Sequence, residues 1–159
     1  MKLSVKEVKI TNLPGQMQVE KVLYACGRDM AKKYDIHQWD NNHIKTMAIV
    51  AYCQLKNKVF LVVDENKKAV GTFQIRVCKE ALSFEKIGTL PQCQGYGIAG
   101  KMLEEIRKIA KDNGCSKITC SVYEKNRYAL EYYLKKGFSI CQTTQTKKYK
   151  LINMEMEII

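Results

Sequence analysis

A chain of 159 residues, 46% hydrophobic, is long enough to bury one full core without staples, and nothing in it calls for a second domain, so a single domain over 1–159 is expected. The net charge of +11 comes almost wholly from Lys, with Arg only at Arg28, Arg76, Arg107 and Arg127; base-reading and bidentate phosphate surfaces favour Arg, which disfavours a dedicated nucleic-acid face. No apolar run approaches the roughly 20 residues of a membrane span, Met1–Ser4 lacks a signal-peptide core, and seven cysteines without a C-x-x-C pair fit reduced thiols, so a soluble cytoplasmic protein is expected.

In chain order, Val5–Thr11 reads as a first strand stopped by the turn signal Asn12-Leu-Pro-Gly. Val19, Val22, Leu23, Cys26 and Met30 then carry a helical stripe over about 17–33. Ile44, Met47, Ala48, Ala51, Tyr52 and Leu55 repeat that spacing and predict a second helix burying that stripe, with Asn41 and Asn42 offering caps. Between the helices, Tyr34-Asp-Ile-His37-Gln-Trp39-Asp is a polar, aromatic connection and the candidate substrate-facing loop, although Trp39 could equally plug a gap between helices.

Val59–Val63 and Val70–Val77, joined by the polar turn Asp64–Lys68, read as a hairpin. Leu82–Leu90 is a fourth strand in which strict alternation puts Glu85, Ile87 and Thr89 on one face, Glu85 roughly 13 Å upstream of Thr89. A third helix carries Met102, Leu103, Ile106, Ile109 and Ala110 on one side and stops at Asn113-Gly114. Lys117–Tyr123 is a fifth strand, parallel to the fourth because a helix connects them. Asn126–Lys136 forms a fourth helix closed by Gly137, and Phe138–Thr143 and Tyr149–Ile158 are final antiparallel strands, the last offering an edge that a homodimer could use. The order predicts an α/β (α+β) fold: a mixed sheet of about seven strands flanked by four helices.

Gly95-Tyr96-Gly97-Ile98-Ala99-Gly100 follows a strand and opens a helix, so its glycines let backbone N–H groups approach an anion. As a dinucleotide fingerprint it fails: regular β-α alternation is missing, and the first acid after the fifth strand, Glu124, lies nearly 30 residues beyond Gly95. Cys93 lies in the same stretch without a neighbouring His or metal-ligand spacing and reads as a small buried hydrophobe; no metal site is expected.

With its neighbours, the segment resembles the GNAT superfamily of N-acetyltransferases. The family's acyl-CoA loop, Q/R-x-x-G-x-G/A, stands here as Gln94-Gly-Tyr-Gly97-Ile-Ala99, and its pattern N-x-x-A-x-x-x-Y-x-x-x-G-F as Asn126 through Ala129 and Tyr133 to Gly137-Phe138. The resemblance covers the whole element order, and firmly the span from Val59 to Phe138. Gly88 and Thr89 depart from the family's usual residues, but those positions are expected to act through backbone. The resemblance implies a sheet splayed between strands four and five, with acetyl-CoA as co-substrate in the gap.

By that resemblance, Gln94, Gly95, Tyr96, Gly97, Ile98, Ala99 and Gly100 hold the pyrophosphate, Thr89 and Leu90 hold the pantetheine arm and offer an N–H to the thioester carbonyl, and Asn126 contacts the same arm. Tyr133 would protonate the leaving thiolate, while Tyr132, about 100° away around the helix, packs. An acceptor amine of pKa near 10.4 is neutral in only about one molecule in 2,500 at pH 7, so attack needs a base or a water relay. Glu85 is the first candidate, through water, with its alternative being an exposed strand carboxylate; Asp35, His37, Asp40 and His43 are reserves. Tyr34, His37 and Trp39 are the candidate acceptor-binding residues. The expected activity is direct transfer of acetyl from acetyl-CoA to a primary amine on a small molecule, peptide or protein. The alternatives are a non-catalytic acyl-CoA-binding sensor or interaction module, which an intact Tyr133 disfavours, and a basic nucleic-acid-binding domain.

Overall fold

The period-two stretches around Val59 and Phe73 form an antiparallel pair, β2 (Lys58–Val63) and β3 (Ala69–Cys78), whose connecting turn is fastened by the Asp64 carboxylate accepting the Asn66 and Lys68 N–H groups. The computed structural model describes residues 1–158. With β1 (Ser4–Val8), β4 (Ala81–Thr89), β5 (Lys117–Tyr123), β6 (Ser139–Gln145) and β7 (Lys150–Glu157), the sheet runs β1-β2-β3-β4-β5-β7-β6. Four helices flank it: α1 (Leu13–Tyr34), α2 (His43–Cys53), α3 (Ile98–Asp112) and α4 (Arg127–Lys135). This is the mixed α/β fold that the element order predicts. No helix among the described residues is long and apolar enough to cross a membrane.

All neighbouring strands are antiparallel except β4 and β5, whose parallel pairing stops after Ala81–Ser83 against Lys117–Thr119. Beyond Ser83 the two strands diverge, and the sheet opens between them. Side chains alternate across the pleat, so the two faces can be followed through adjacent residues of β3 and β4. A Cβ on Gly71 would meet Ile98 and Met102 of α3, whereas one on Gly88, paired with Thr72, would meet Cys26 of α1. Hence α1 covers one face of the sheet and α3 the other. Val19, Leu23 and Val50 pack on Val59, Leu61 and Val63 beneath α1 and α2, and the larger core joins Phe73, Leu82 and Phe84 to Met102, Ile106 and Ile118.

Four sequence expectations are corrected. Asn12-Leu-Pro-Gly does not end a strand; it starts α1, with the Asn12 Oδ1 accepting the Gly15 N–H at 3.0 Å and Pro14 in the first turn, where its missing donor costs nothing. The α1 helix also continues through Tyr34, which leaves the candidate substrate-facing loop shorter.

The second correction concerns α2, where the expected inward stripe faces out: Ile44, Tyr52 and Leu55 are 84%, 65% and 73% exposed, while Thr46, Val50 and Cys53 are buried. This helix is apolar on nearly every side, so periodicity cannot choose its buried face. Packing chooses, with the Thr46 hydroxyl donating to the Trp39 carbonyl. The third concerns the last strand: β7 is interior, between β5 and β6, so the free edge belongs to β6.

The fourth correction changes the site. Gln74 pairs with Glu85 and Thr72 with Gly88, so two residues of β3 span three of β4, and Lys86 takes φ 49° at the extra position. The bulge inverts the alternation. Glu85 shares a face with Gly88 and turns toward the α1/α2 side, whereas Thr89, paired with Gly71, turns toward α3.

Gly88 therefore has a steric reason to lack a side chain: an added Cβ would lie 2.7 Å from the Cys26 Sγ. Gly88→Ala is expected to destabilise by about 1–3 kcal/mol through overpacking, lowering Tm in a thermal melt, and Cys26→Ala is expected to restore part of the loss. A Gly88→Ala protein melting with the parent would refute this contact.

Candidate active site

Three local backbone devices frame the opening between β4 and β5. The first is the segment after the 3-10 turn Pro91–Cys93, where Gly95 and Gly97 take φ 89° and 78°, conformations that residues with a Cβ adopt only under strain. Gly97 caps α3 with no side chain, and the first helical bond is Lys101 N–H to the Gly97 carbonyl. The N–H groups of Ile98, Ala99 and Gly100 thus lack intrahelical acceptors and carry the positive end of the helix dipole. A Cβ on Gly95, Gly97 or Gly100 would meet nothing within 4 Å, so this cradle is open. Gln94 and Tyr96 are exposed beside it, while the Ile98 side chain is core and leaves only its backbone to the cradle. From Gly100 a depression of about 570 Å³ continues along α3, lined by Arg107, Lys108, Lys111 and Lys136 against Glu104 and Asp112.

The second device is α4. Asn126 Oδ1 accepts the Ala129 N–H at its start, and its end is a Schellman closure: Phe138 N–H bonds the Tyr133 carbonyl, Gly137 N–H bonds the Leu134 carbonyl, and Gly137 takes φ 103°. The accompanying hydrophobic contact is between Phe138 and Tyr133, with ring centroids 5.5 Å apart. The spacing from Asn126 to Phe138 is therefore a helix with both caps, and those caps fix where Tyr133 points. Tyr133 is 7% exposed against Phe84 and Phe138. Burial first, then the proximity of Cys120 and Tyr132, pushes its phenol far up, so it stays protonated. Tyr132 packs edge-on against Tyr133.

The third is the end of β4. Leu90 N–H is bound to the Val70 carbonyl at 2.9 Å, so it is not free for a ligand. In an antiparallel pair, hydrogen-bonded and non-hydrogen-bonded residues alternate, so the neighbouring Gly71–Thr89 pair is of the second kind and the Thr89 N–H points toward the gap. The Thr89 carbonyl accepts the Cys26 thiol at 3.2 Å. Burial first, then Asp29, pushes that thiol up to about 12, which keeps it a neutral donor.

Between these devices lies a cleft of about 600 Å³ running through the splayed sheet, with Tyr133, Asn126 and Ala129 on its walls together with Glu85 and Trp39. Phe84 touches Tyr133, and the next residue, Glu85, points to the opposite face; the phenol and the carboxylate thus flank the cleft from opposite sides of the sheet. Asn57 Nδ2 donates to Glu85 Oε1 at 2.6 Å and to Gln74 Oε1 at 3.0 Å, and Lys86 Nζ stands 3.4 Å from the same carboxylate oxygen. Burial would push the Glu85 carboxyl up, but the Asn57 bond together with Lys86 and Lys56 outweighs it and holds the group below the usual carboxylate range. Gln74 Nε2 is buried without a partner among the described residues, so its amide is held by the one bond to Asn57.

Of the three candidate acceptor residues, Trp39 alone lines the cleft. It sits at φ 59°, and Gly27 makes room for the loop, since a Cβ there would lie 2.5 Å from the Gln38 carbonyl oxygen. Tyr34 ends α1 away from the cleft walls. His37 is exposed, with Nδ1 on Asp40 and Nε2 on Asp35 at 2.9 and 2.8 Å, so both ring nitrogens and both aspartates are engaged elsewhere. His43 pairs with Glu20. His37 N–H donates to the Tyr149 hydroxyl, tying this loop to the β6–β7 turn. Asn57 and Arg76 escaped the sequence reading, because a lone Asn before a strand and an Arg at a polar strand position carry no pattern. Only the register that sets them beside Glu85 reveals them. No cluster of metal-ligating side chains occurs among the described residues.

Comparison with known proteins identifies the family and the fold. A sequence family described as the acetyltransferase (GNAT) family matches residues 28–138. The fold is similar to that of the PaiA N-acetyltransferase from Thermoplasma acidophilum, solved in complex with coenzyme A, at 14% identity and TM-score 0.76, covering 99% of this chain and 100% of that one. It is similar to the ribosomal-protein-S18-alanine N-acetyltransferase from Escherichia coli at 15% identity and TM-score 0.72, covering 99% and 94% of the two chains. A nourseothricin acetyltransferase matches at 18% identity and TM-score 0.59 over 64% of this chain, which spans only 65% of that protein. At these identities the likeness is one of fold.

Proposed function

Since the chain belongs to the GNAT acetyltransferase family, we propose that it is one catalytic domain over 1–159 that transfers the acetyl group of acetyl-CoA directly to a primary amine. The observation that carries this reading is the buried Tyr133, held by both caps of α4 on the wall of the same cleft that Glu85 lines from the opposite face. Acetyl-CoA supplies an activated acyl thioester. The free N–H groups of Ile98, Ala99 and Gly100 and the open cradle at Gly95 and Gly97 suit its pyrophosphate, with exposed Gln94 and Tyr96 alongside.

Thr89 N–H faces the gap where negative charge develops on the acyl oxygen, and Leu90, whose donor is spent on Val70, positions that strand end. Asn126 uses its side-chain oxygen as a cap, which leaves its NH2 for the pantetheine arm. Tyr133 gives its proton to the departing thiolate. Glu85, ionised throughout the physiological range, accepts the ammonium and passes its proton to water; a depressed carboxylate is too weak a base to hold that proton itself. Among the reserve bases, His37, Asp35, Asp40 and His43 are already engaged, and Trp39 is assigned to the acceptor wall. Seven free thiols suit a reducing, cytoplasmic setting, and the open β6 edge is where a second copy would pair.

The reading is tested by incubating the protein with acetyl-CoA and a panel of amines while following free thiol, alongside thermal shift with CoA. The expected outcome is amine-dependent thiol release and a rise in Tm of several degrees at CoA well above its Kd. Stabilisation by CoA without thiol release for any amine would favour a non-catalytic acyl-CoA-binding module; no stabilisation at all would reject the donor site.

A further inference from the structure

The cleft has three charged wall residues, Arg76, Glu85 and Lys86. Lys86 is 19% exposed and paired with Glu85 through Oε1, the same oxygen that accepts Asn57. Oε2 of Glu85 is left without a partner among the described residues. Arg76 is exposed at the mouth and has no acidic side chain within ion-pair distance among the described residues. It pairs with Ser83, and Gln74 pairs with Glu85, so Arg76 and Glu85 are diagonal neighbours on one sheet face, roughly 7–8 Å apart at their Cα atoms. A cation without an acid and a carboxylate oxygen without a donor thus face one opening, on the side of the sheet away from Tyr133.

That pairing matches a zwitterion. We propose that the acceptor is an amino acid, its amine held at Glu85 Oε2 and its carboxylate by the Arg76 guanidinium. The planar fork of Arg suits a carboxylate bidentately, and the long side chain spans the short distance between the two charges of an amino acid. The acceptor's side chain lies toward Trp39 and Met30, the apolar part of the same wall. A polyamine is a poor fit: it would bring several cations to a cleft with a single carboxylate that Lys86 already neutralises in part.

This inference rests on the transfer reading above. In the transfer, a nitrogen–carbon bond forms as the carbon–sulfur bond of the thioester breaks. Of the two protons the ammonium sheds, one leaves to solvent by way of Glu85 and the other restores Tyr133, which has protonated the thiolate. The products are an N-acetylamino acid and CoA.

Matched pairs test the assignment: leucine against isoamylamine and phenylalanine against phenethylamine, with spermidine as a third arm, in initial-rate kinetics with acetyl-CoA. The amino acid of each pair should be preferred in kcat/KM by at least about tenfold, the scale of one charge-assisted pair. Arg76→Met should bring that ratio toward one by raising the KM of the acid, and Arg76→Lys should retain part of the preference. Preference for the decarboxylated amine or spermidine, or a ratio indifferent to Arg76→Met, would overturn the acceptor class while leaving acetyl transfer intact. A second arm titrates leucine into the CoA-saturated protein. Leucine binding that Arg76→Met abolishes, without turnover of any amine, would support this site and reject the transfer; neither turnover nor leucine binding would reject both.

Discussion

Tyr133→Phe should lower kcat by roughly 10²-fold or more, with the KM for acetyl-CoA and the melting temperature close to those of the parent. The ring keeps its contacts with Phe84 and Phe138, and burial and neighbouring side chains, not a protein hydrogen bond, account for the raised pKa of the phenol. The substitution therefore strands no buried partner, and the lost rate measures proton donation alone. Because burial raises the phenol well above its ordinary value, Tyr133 remains a donor through the alkaline range, and kcat of the parent should show no fall from its ionisation below about pH 10. Steady-state kinetics with a good amine acceptor measures both. Parent-like kcat in the variant would remove Tyr133 from the acid role, and loss of both kcat and Tm would mean that the phenol serves packing.

Glu85→Gln is expected to cost about 10²-fold in kcat/KM for the amine, since in the proposed transfer the carboxylate both holds the ammonium and leads its proton to water. The direction of the Glu85 shift sets the pH dependence. Its folded-state pKa is lowered, so it is charged above the ordinary carboxylate value of about 4.3 and loses its proton-relay role only as pH falls below that value. In the parent, the rate between pH 6 and 9 should consequently rise with deprotonation of the amine, not of Glu85.

Asn57→Leu provides the discriminating variant. Removing the hydrogen bond that, together with Lys86 and Lys56, outweighs burial lets the Glu85 carboxyl move up, so the acid limb should shift to higher pH; a double variant with Glu85→Gln should lack that limb. A merely structural Asn57 would lower activity evenly across pH. The same sign governs stability: whatever the ionised Glu85 contributes is present above its unfolded pKa and is lost as pH falls through the lowered folded value.

The legible parts of the site are those whose causes are local. Gly95, Gly97 and Gly137 announce positions of positive φ, Asn126 a cap, and Phe138 the contact that closes a short helix on Tyr133; each depends on a few bonds of chain, so the sequence carries it. Where a signal was ambiguous, longer-range packing decided. The α2 helix offers apolar residues on most sides, and the choice of Thr46, Val50 and Cys53 over Ile44, Tyr52 and Leu55 depends on Trp39 and α1. The loop holding His37 and Trp39 reads as one polar segment, yet its partners divide it: His37 is spent on Asp35 and Asp40, and Trp39 enters the cleft.

What the sequence alone determined is the order of elements, the glycine turn that opens α3 and the capped helix that presents Tyr133, because φ preferences, caps and hydrophobic period act over a few residues. The surroundings of Glu85 were decided by tertiary structure. A single bulge at Lys86 separates the faces of Glu85 and Thr89, strand register sets Gln74 opposite Glu85 and Arg76 diagonal to it, and Asn57 joins Gln74 and Glu85 by hydrogen bonds. No local rule carries that information, since one inserted residue inverts every side chain beyond it and pairing joins residues far apart in the chain.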